Sequence, residues 1–161
     1  MNRPLLVIFL AGIGAVGLFG MGSYSQPSDS SGSQSAGPPK TAADFYAVGF
    51  KASAAKNYSD AINDFDSAIA IKADYAEAYN MLGYCLRMTG KVQDSMKNYQ
   101  KALELKPNFP EAREYYGEAF LMDNNLGGAV SQYIIIQKTN QKLGAVLLAS
   151  IADFLKDHPT P

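Results

Sequence analysis

Across its 161 residues the sequence has a single cysteine, Cys85, a single histidine, His158, and no tryptophan. One thiol cannot close an internal disulfide, and one cysteine with one histidine cannot make a cysteine/histidine zinc site. Neither sign of charge is in excess, with 14 Lys and Arg against 15 Asp and Glu. A protein that grips nucleic acid by its phosphates carries a basic surplus or stripe, so nucleic acid is not an expected partner. Charge is missing altogether between Leu5 and Gly22, and apolar side chains are scarce between Ser23 and Lys40. These two stretches set the first forty residues apart from the rest of the chain.

A helix over Leu5–Gly22 reaches roughly 27 Å, close to the ~30 Å hydrocarbon core of a bilayer. Two readings fit. A cleaved signal peptide (residues 1–22) suits the start at Arg3, the strongly apolar Leu5–Ala11 and the small-x-small site Ser23-Tyr24-Ser25. An uncleaved membrane anchor suits the length, which exceeds the ~7–15 residues of a usual signal core. No cysteine follows the run, which excludes a lipoprotein signal. Arg3 and the amino terminus are the only positive charges before Lys40, so the N-terminus is expected inside and the remainder exported. The folded part is therefore expected outside the cytoplasm, secreted or tethered by residues 5–22. Residues 23–40, rich in Ser, Gly, Pro and Gln, cannot offset their ordering entropy by burial and read as a flexible linker.

Within the apolar run, Gly12-Ile13-Gly14-Ala15-Val16-Gly17 after Leu5–Leu10 has the form of a dinucleotide-binding fingerprint. The context refuses it. Gly20 and Gly22 fall where the phosphate-binding helix should run, and a polar linker replaces the second strand. No cofactor is expected.

From about Thr41 the chain repeats itself with a period of 34, in units 42–75, 76–109 and 110–143. Position eight is Gly49, Gly83 and Gly117. Position four is Phe45, Tyr79 and Arg113, and position seven is Val48, Leu82 and Tyr116. Position twenty is Ala61, Ser95 and Ala129; position twenty-four is Phe65, Tyr99 and Tyr133; position twenty-seven is Ala68, Ala102 and Ile136. Pro107 stands at position thirty-two of the middle unit alone. Small residues at eight, twenty and, except for the bulky Ile136 of the third unit, twenty-seven let two antiparallel helices approach, while large ones fill the space beside them.

This pattern resembles the tetratricopeptide repeat family over residues 42–143, most closely in the middle unit with Gly83, Gly90, Ala102 and Pro107. The resemblance implies an all-α fold, a right-handed superhelix of three helical hairpins. Helices are expected at 42–55, 58–71, 76–89, 92–105, 110–123 and 126–139, with turns at Lys56-Asn57, Gly90-Lys91 and Asn124-Asn125. Capping boxes are expected at Thr41–Asp44 and Asp74–Glu77, and Asn108 with Pro110 and Glu111 should open the fifth helix. A seventh helix at about 143–156 is expected to cap the last repeat, ending the domain near residue 157. Its stripe would be Val146, Leu147, Ile151, Phe154 and Leu155, covering Ile134-Ile135-Ile136.

No constellation supports catalysis or metal binding. His158 sits beyond the last helix and reads as a frayed end, since a catalytic base must be held against its substrate. Cys85 reads as a small core hydrophobe. Glu111, Glu114 and Glu118 share one helix face, which by itself is an ordinary solvated face.

The resemblance adds a further expectation. In the family, positions two, five, nine, twelve and thirteen of each first helix line a concave groove. In this sequence that implies Tyr46 and Phe50 at an aromatic end, Asn80, Tyr84, Arg87 and Met88 in the middle, and Glu111, Glu114 and Glu118 at an acidic end. Tyr, Phe and Arg are the residue types that anchor interfaces. The Lys and Asn residues with which some members clamp a C-terminal carboxylate are replaced by Tyr46, Phe50, Glu111 and Tyr115, so a partner with a basic or amide-rich segment beside an apolar one fits better. The expected function is an exported adaptor that binds a protein or peptide, of the kind small exported bacterial proteins of this layout provide. The alternative is a self-associating scaffold or assembly factor of an envelope or secretion complex, in which repeats stack into a homo-oligomer. The membrane enters only through the N-terminal segment.

Overall fold

The computed structural model describes residues 41–159; the expected signal or anchor segment and the linker lie outside the described residues. Among the described residues there are seven helices and no strand. They are α1 (Ala42–Ala54), α2 (Tyr58–Ile71), α3 (Ala76–Met88), α4 (Val92–Leu105), α5 (Pro110–Met122), α6 (Leu126–Thr139) and α7 (Gln141–Asp157). No helix among them is long and apolar enough to cross a membrane.

The six repeat helices match their expected bounds to within a residue. Each turns back on its partner through a left-handed residue, Lys56 (φ 63°), Gly90 (φ 80°) or Asn124 (φ 56°). Only the middle turn uses the residue that adopts this conformation without a Cβ penalty; Asn tolerates it, and Lys56 is strained there.

The capping expectations divide. Thr41 and Asp44 do form a reciprocal capping box at α1. Asp74 and Asn108 do not cap: the N-cap residues of α3 and α5 are Tyr75 and Phe109, with no side-chain cap. Burial explains the exchange at α5. Phe109 is 7 % exposed and packs with Ala76, Ala102 and Ala112, joining the second hairpin to the third. Filling that inter-repeat gap with a ring stabilises more than the ~1 kcal/mol of a polar cap. Glu77 pairs instead with Lys106 at 2.7 Å, and Pro110 keeps its place as first helical residue.

Helices pack in order, α1 on α2, α2 on α3 and onward, each hairpin resting on the next. The core between the first two repeats gathers Ala61, Phe65, Leu82, Cys85 and Leu86. Cys85 is fully buried, and burial pushes its thiol up to about 12, so it stays protonated as a packing group. Gly49 and Gly83 each face the aromatic residue sixteen positions on, Phe65 and Tyr99; a Cβ on Gly83 would lie 2.8 Å from the Tyr99 ring.

The C-terminal end departs from the expectation in three ways. α7 begins at Gln141, two residues early, because Asn140 both ends α6 and caps α7 by accepting from the Leu143 amide at 3.1 Å. Its packed face is Gly144, Leu147 and Ile151, with Phe154 alongside, while Val146 and Leu155 remain exposed. Of the three isoleucines only Ile136 is covered; Ile134 and Ile135 stay in solvent. The inward face follows from Gly117: a Cβ there would sit 2.5 Å from Leu147, so the glycine is a seat for α7. His158 is not frayed. Its ring stacks on Phe154 at 4.2 Å, and its backbone closes the helix.

Candidate functional site

The first helices of the three repeats, α1, α3 and α5, bring the expected inner-face residues together, in two layers of different accessibility. Asn80, Arg87, Glu114 and Glu118 are buried. Tyr46, Phe50 and Tyr84 are half-buried, and Met88 and Glu111 are exposed. The repeat-defining residues Gly49, Gly117, Ala61, Ala68 and Ala102 lie in the packing between helices, while Pro107 is exposed in the turn after α4.

The buried layer is a charge network under aromatic rings. Arg87 meets Glu118 at 2.7 Å, with both side chains no more than a tenth exposed. Tyr84 and Tyr115 stand on the guanidinium, each ring 5.8 Å from its centre. Burial alone would depress the Arg87 charge, and the carboxylate of Glu118 more than compensates. Glu114, one helical turn before Glu118, is pushed up to about 8 by burial and by the neighbouring Glu118 charge, with Arg87 partly opposing. Arg87 thus holds Glu118 in an ion pair, and burial beside that pair disfavours a second negative charge at Glu114.

This changes the character of the acidic end expected from the sequence. Of Glu111, Glu114 and Glu118, only Glu111 reaches solvent; Glu118 is paired with Arg87 within the fold, and burial disfavours the ionised form of Glu114. The accessible inner face is therefore largely aromatic and neutral. Its tyrosines keep their protons: burial raises Tyr46, Tyr84 and Tyr115 each to about 12. They offer flat apolar area with a hydrogen-bonding edge. Tyr46 stacks on Phe50 and lies tilted against Phe65 and Tyr75, and Tyr84 lies 5.5 Å from Tyr115 and 6.1 Å from Tyr58. The Tyr99 hydroxyl is buried in the same layer beside Arg87, and Asn80 is buried at its edge.

Tyr115, Tyr75 and Tyr58 belong to the aromatic surface although the groove positions did not include them. A signal for Tyr115 exists in hindsight. Arg87 to Glu118 and Tyr84 to Tyr115 are both separations of 31 residues, one repeat of 34 less a helical turn. Neighbouring first helices are offset along their axes by about that turn, so residues of equal repeat number do not face each other.

Successive αα-hairpins with glycine-seated crossings and a helical cap define a helical-repeat solenoid. The middle unit fixes the family: residues 76–109 match the model of the tetratricopeptide repeat. The chain is a tetratricopeptide-repeat protein. Similar folds occur in the first TPR of Spaghetti (RPAP3) bound to the HSP90 peptide SRMEEVD, with a TM-score of 0.66 and 16 % identity over 72 % of this chain and 94 % of that one. PcrH in complex with the chaperone-binding region of PopD gives 0.65 and 20 % over 72 % and 92 %. MamA gives 0.59 and 25 % over 63 % and 56 %. No curated protein matches the chain.

Proposed function

We propose that the protein is a non-catalytic adaptor whose inner face holds a segment of a partner protein, and that it works outside the cytoplasm. The observation that carries this reading is the aromatic floor of Tyr46, Phe50, Tyr84 and Tyr115, laid over buried polar groups and rimmed by exposed Met88 and Met122. Such a surface gains by covering apolar area, and aromatic and Met side chains are the common anchors of interfaces. Support also comes from similar folds that carry peptides, the RPAP3 repeat with its HSP90 peptide and PcrH with a region of PopD. With Glu118 paired to Arg87 beneath it, the floor selects for apolar character, the tyrosine hydroxyls add hydrogen bonds at its edge, and Glu111 adds a single preference for a basic residue.

The extracytoplasmic placement rests on the charge-free run Leu5–Gly22 behind Arg3, followed by the linker 23–40. N-terminal sequencing of the mature protein separates a secreted form from a tethered one. For the groove, Tyr46→Ala with Phe50→Ala is expected to abolish co-purification of the partner from the native host while helical content is retained. Undiminished co-purification with the doubly substituted chain would remove the reading.

A further inference from the structure

The three inner helices turn matching stripes toward the open side. On α3 the stripe is Glu77, Met81, Tyr84 and Met88, at steps of four, three and four, so all four lie along one side of the helix. On α5, 34 residues on, the same places hold Glu111, Tyr115, Glu118 and Met122. On α1, 34 residues back, they hold Ala43, Ala47, Phe50 and Ala54. Of these, only Glu118 is buried, paired with Arg87. The inner face therefore has two unlike rims. The acids Glu77 and Glu111 stand at the N-terminal ends of their helices, and Met88 and Met122, 40 % and 50 % exposed, stand at the C-terminal ends.

Resting on the reading of this face as the partner's seat, we infer that its occupant is a single amphipathic α-helix of the partner protein, laid across α1, α3 and α5. One flank of that helix carries a basic residue over Glu111, and the other carries apolar residues over Met88 and Met122. Hydrogen-bond accounting favours a helix. Between the rims the open side chains are alanine, methionine and aromatic; their only polar atoms are the hydroxyls of Tyr84 and Tyr115, and that of Tyr84 is already turned to Tyr58. An extended segment pressed there would leave backbone N–H and C=O groups facing carbon, whereas a helix satisfies its own. The described residues also form no strand whose edge could take one.

The dimensions agree. Eleven residues separate the rims along α3 and along α5, roughly 16 Å, which leaves room for a helix ~10–12 Å across. Packed neighbouring helices stand about 10 Å apart, the rise of about seven residues in a crossing helix. Partner residues at that spacing thus meet successive inner helices. Of the four methionines among the described residues, three (Met81, Met88 and Met122) are on this face, and unbranched methionine adapts to the side chains of a docked helix. Charge sets the direction. Glu77 is held by Lys106 at 2.7 Å, whereas Glu111 makes no ion pair among the described residues, so the basic residue belongs over α5.

Selection of random peptides of roughly 20 residues on the full-length chain in mild detergent tests this. Enriched sequences should repeat apolar residues at steps of three and four, carry a basic residue on one flank and lack an interior proline. For an enriched peptide, proline at a solvent-facing central position should weaken binding about a hundredfold, and alanine there should not. Exchanging its basic residue for Glu should weaken binding several-fold, and Glu111→Lys should restore it. Met88→Glu with Met122→Glu should cost about tenfold or more. Enriched peptides that tolerate the proline, or alternate polar and apolar residues, overturn the helix while leaving the seat; a charge exchange that Glu111→Lys fails to restore overturns its orientation. Peptides that bind Tyr46→Ala with Phe50→Ala undiminished remove the seat itself, and a selection that yields no binder removes both.

Discussion

The middle and third repeats carry the same glycine at position eight, and the chain spends it on two different contacts. Gly83 faces Tyr99 of its own hairpin, whereas Gly117 faces Leu147 of α7. The middle repeat is closed by its own second helix. The third leaves that closure to the next element along, and Gly128 instead admits the Phe120 ring, 2.5 Å from where a Cβ would be. The difference teaches that a repeat signature records a close approach without naming the side chain that makes it. A terminal repeat can keep its glycine and lose its usual filler, provided that a cap supplies another.

The two repeats also meet through the buried ion pair, and this is where the largest effect is expected. Arg87→Ala strands Glu118 in the interior and should cost about 3–5 kcal/mol in denaturant unfolding. Arg87→Met with Glu118→Leu removes both charges and should recover most of the loss. A double variant as unstable as the single one would show that the pair acts through shape and not charge.

Leu147→Ala removes the filler of Gly117 and should cost about 3 kcal/mol. Hydrogen exchange should then rise in α5 and α7 while α3 and α4 stay protected; uniform loss of protection would mean that the third repeat is no more dependent on its cap than the second. Gly83→Ala should cost about 1–3 kcal/mol because the Tyr99 ring is rigid and fully buried. Gly117→Ala should cost less, since Leu147 has rotamers and sits on the terminal helix; the reverse order in thermal unfolding would contradict the contrast.

The smallest effect is on pH dependence. Glu114 is raised in the folded state, so protonation favours folding: stability is full below the ordinary carboxylate range and falls as pH rises towards about 8. Glu114→Gln should flatten that fall and gain about 1 kcal/mol or more at pH 8, with little gain at pH 4. An unchanged slope would place the proton elsewhere.

Helix bounds were legible because glycine spacing, turn residues and apolar periodicity agree on one register. What escaped the sequence has physical causes. Asp74 and Asn108 look like caps, but a buried ring at Phe109 outweighs a polar cap, and Glu77 finds Lys106 across the fold. Val146 and Leu155 look like core on hydrophobicity alone; which side of α7 turns inward is decided by the seat at Gly117, not by the helix itself. On the inner face, repeat position put Tyr46, Tyr84 and Arg87 on the first helices together, but it did not indicate that Arg87 is buried beneath the rings. Nor were the neutralisation of Glu118 and the part played by Tyr115 legible, since both depend on the 31-residue offset between neighbouring first helices.

The central claim, that the aromatic inner face receives a partner, is tested most directly by site-specific photocrosslinking in the native host. A photoreactive residue at exposed Met88 or Glu111 should capture one and the same segment of one partner, and the same residue at Gln100 on outer helix α4 should capture none. Equal capture from Gln100, or different proteins from Met88 and Glu111, would contradict it.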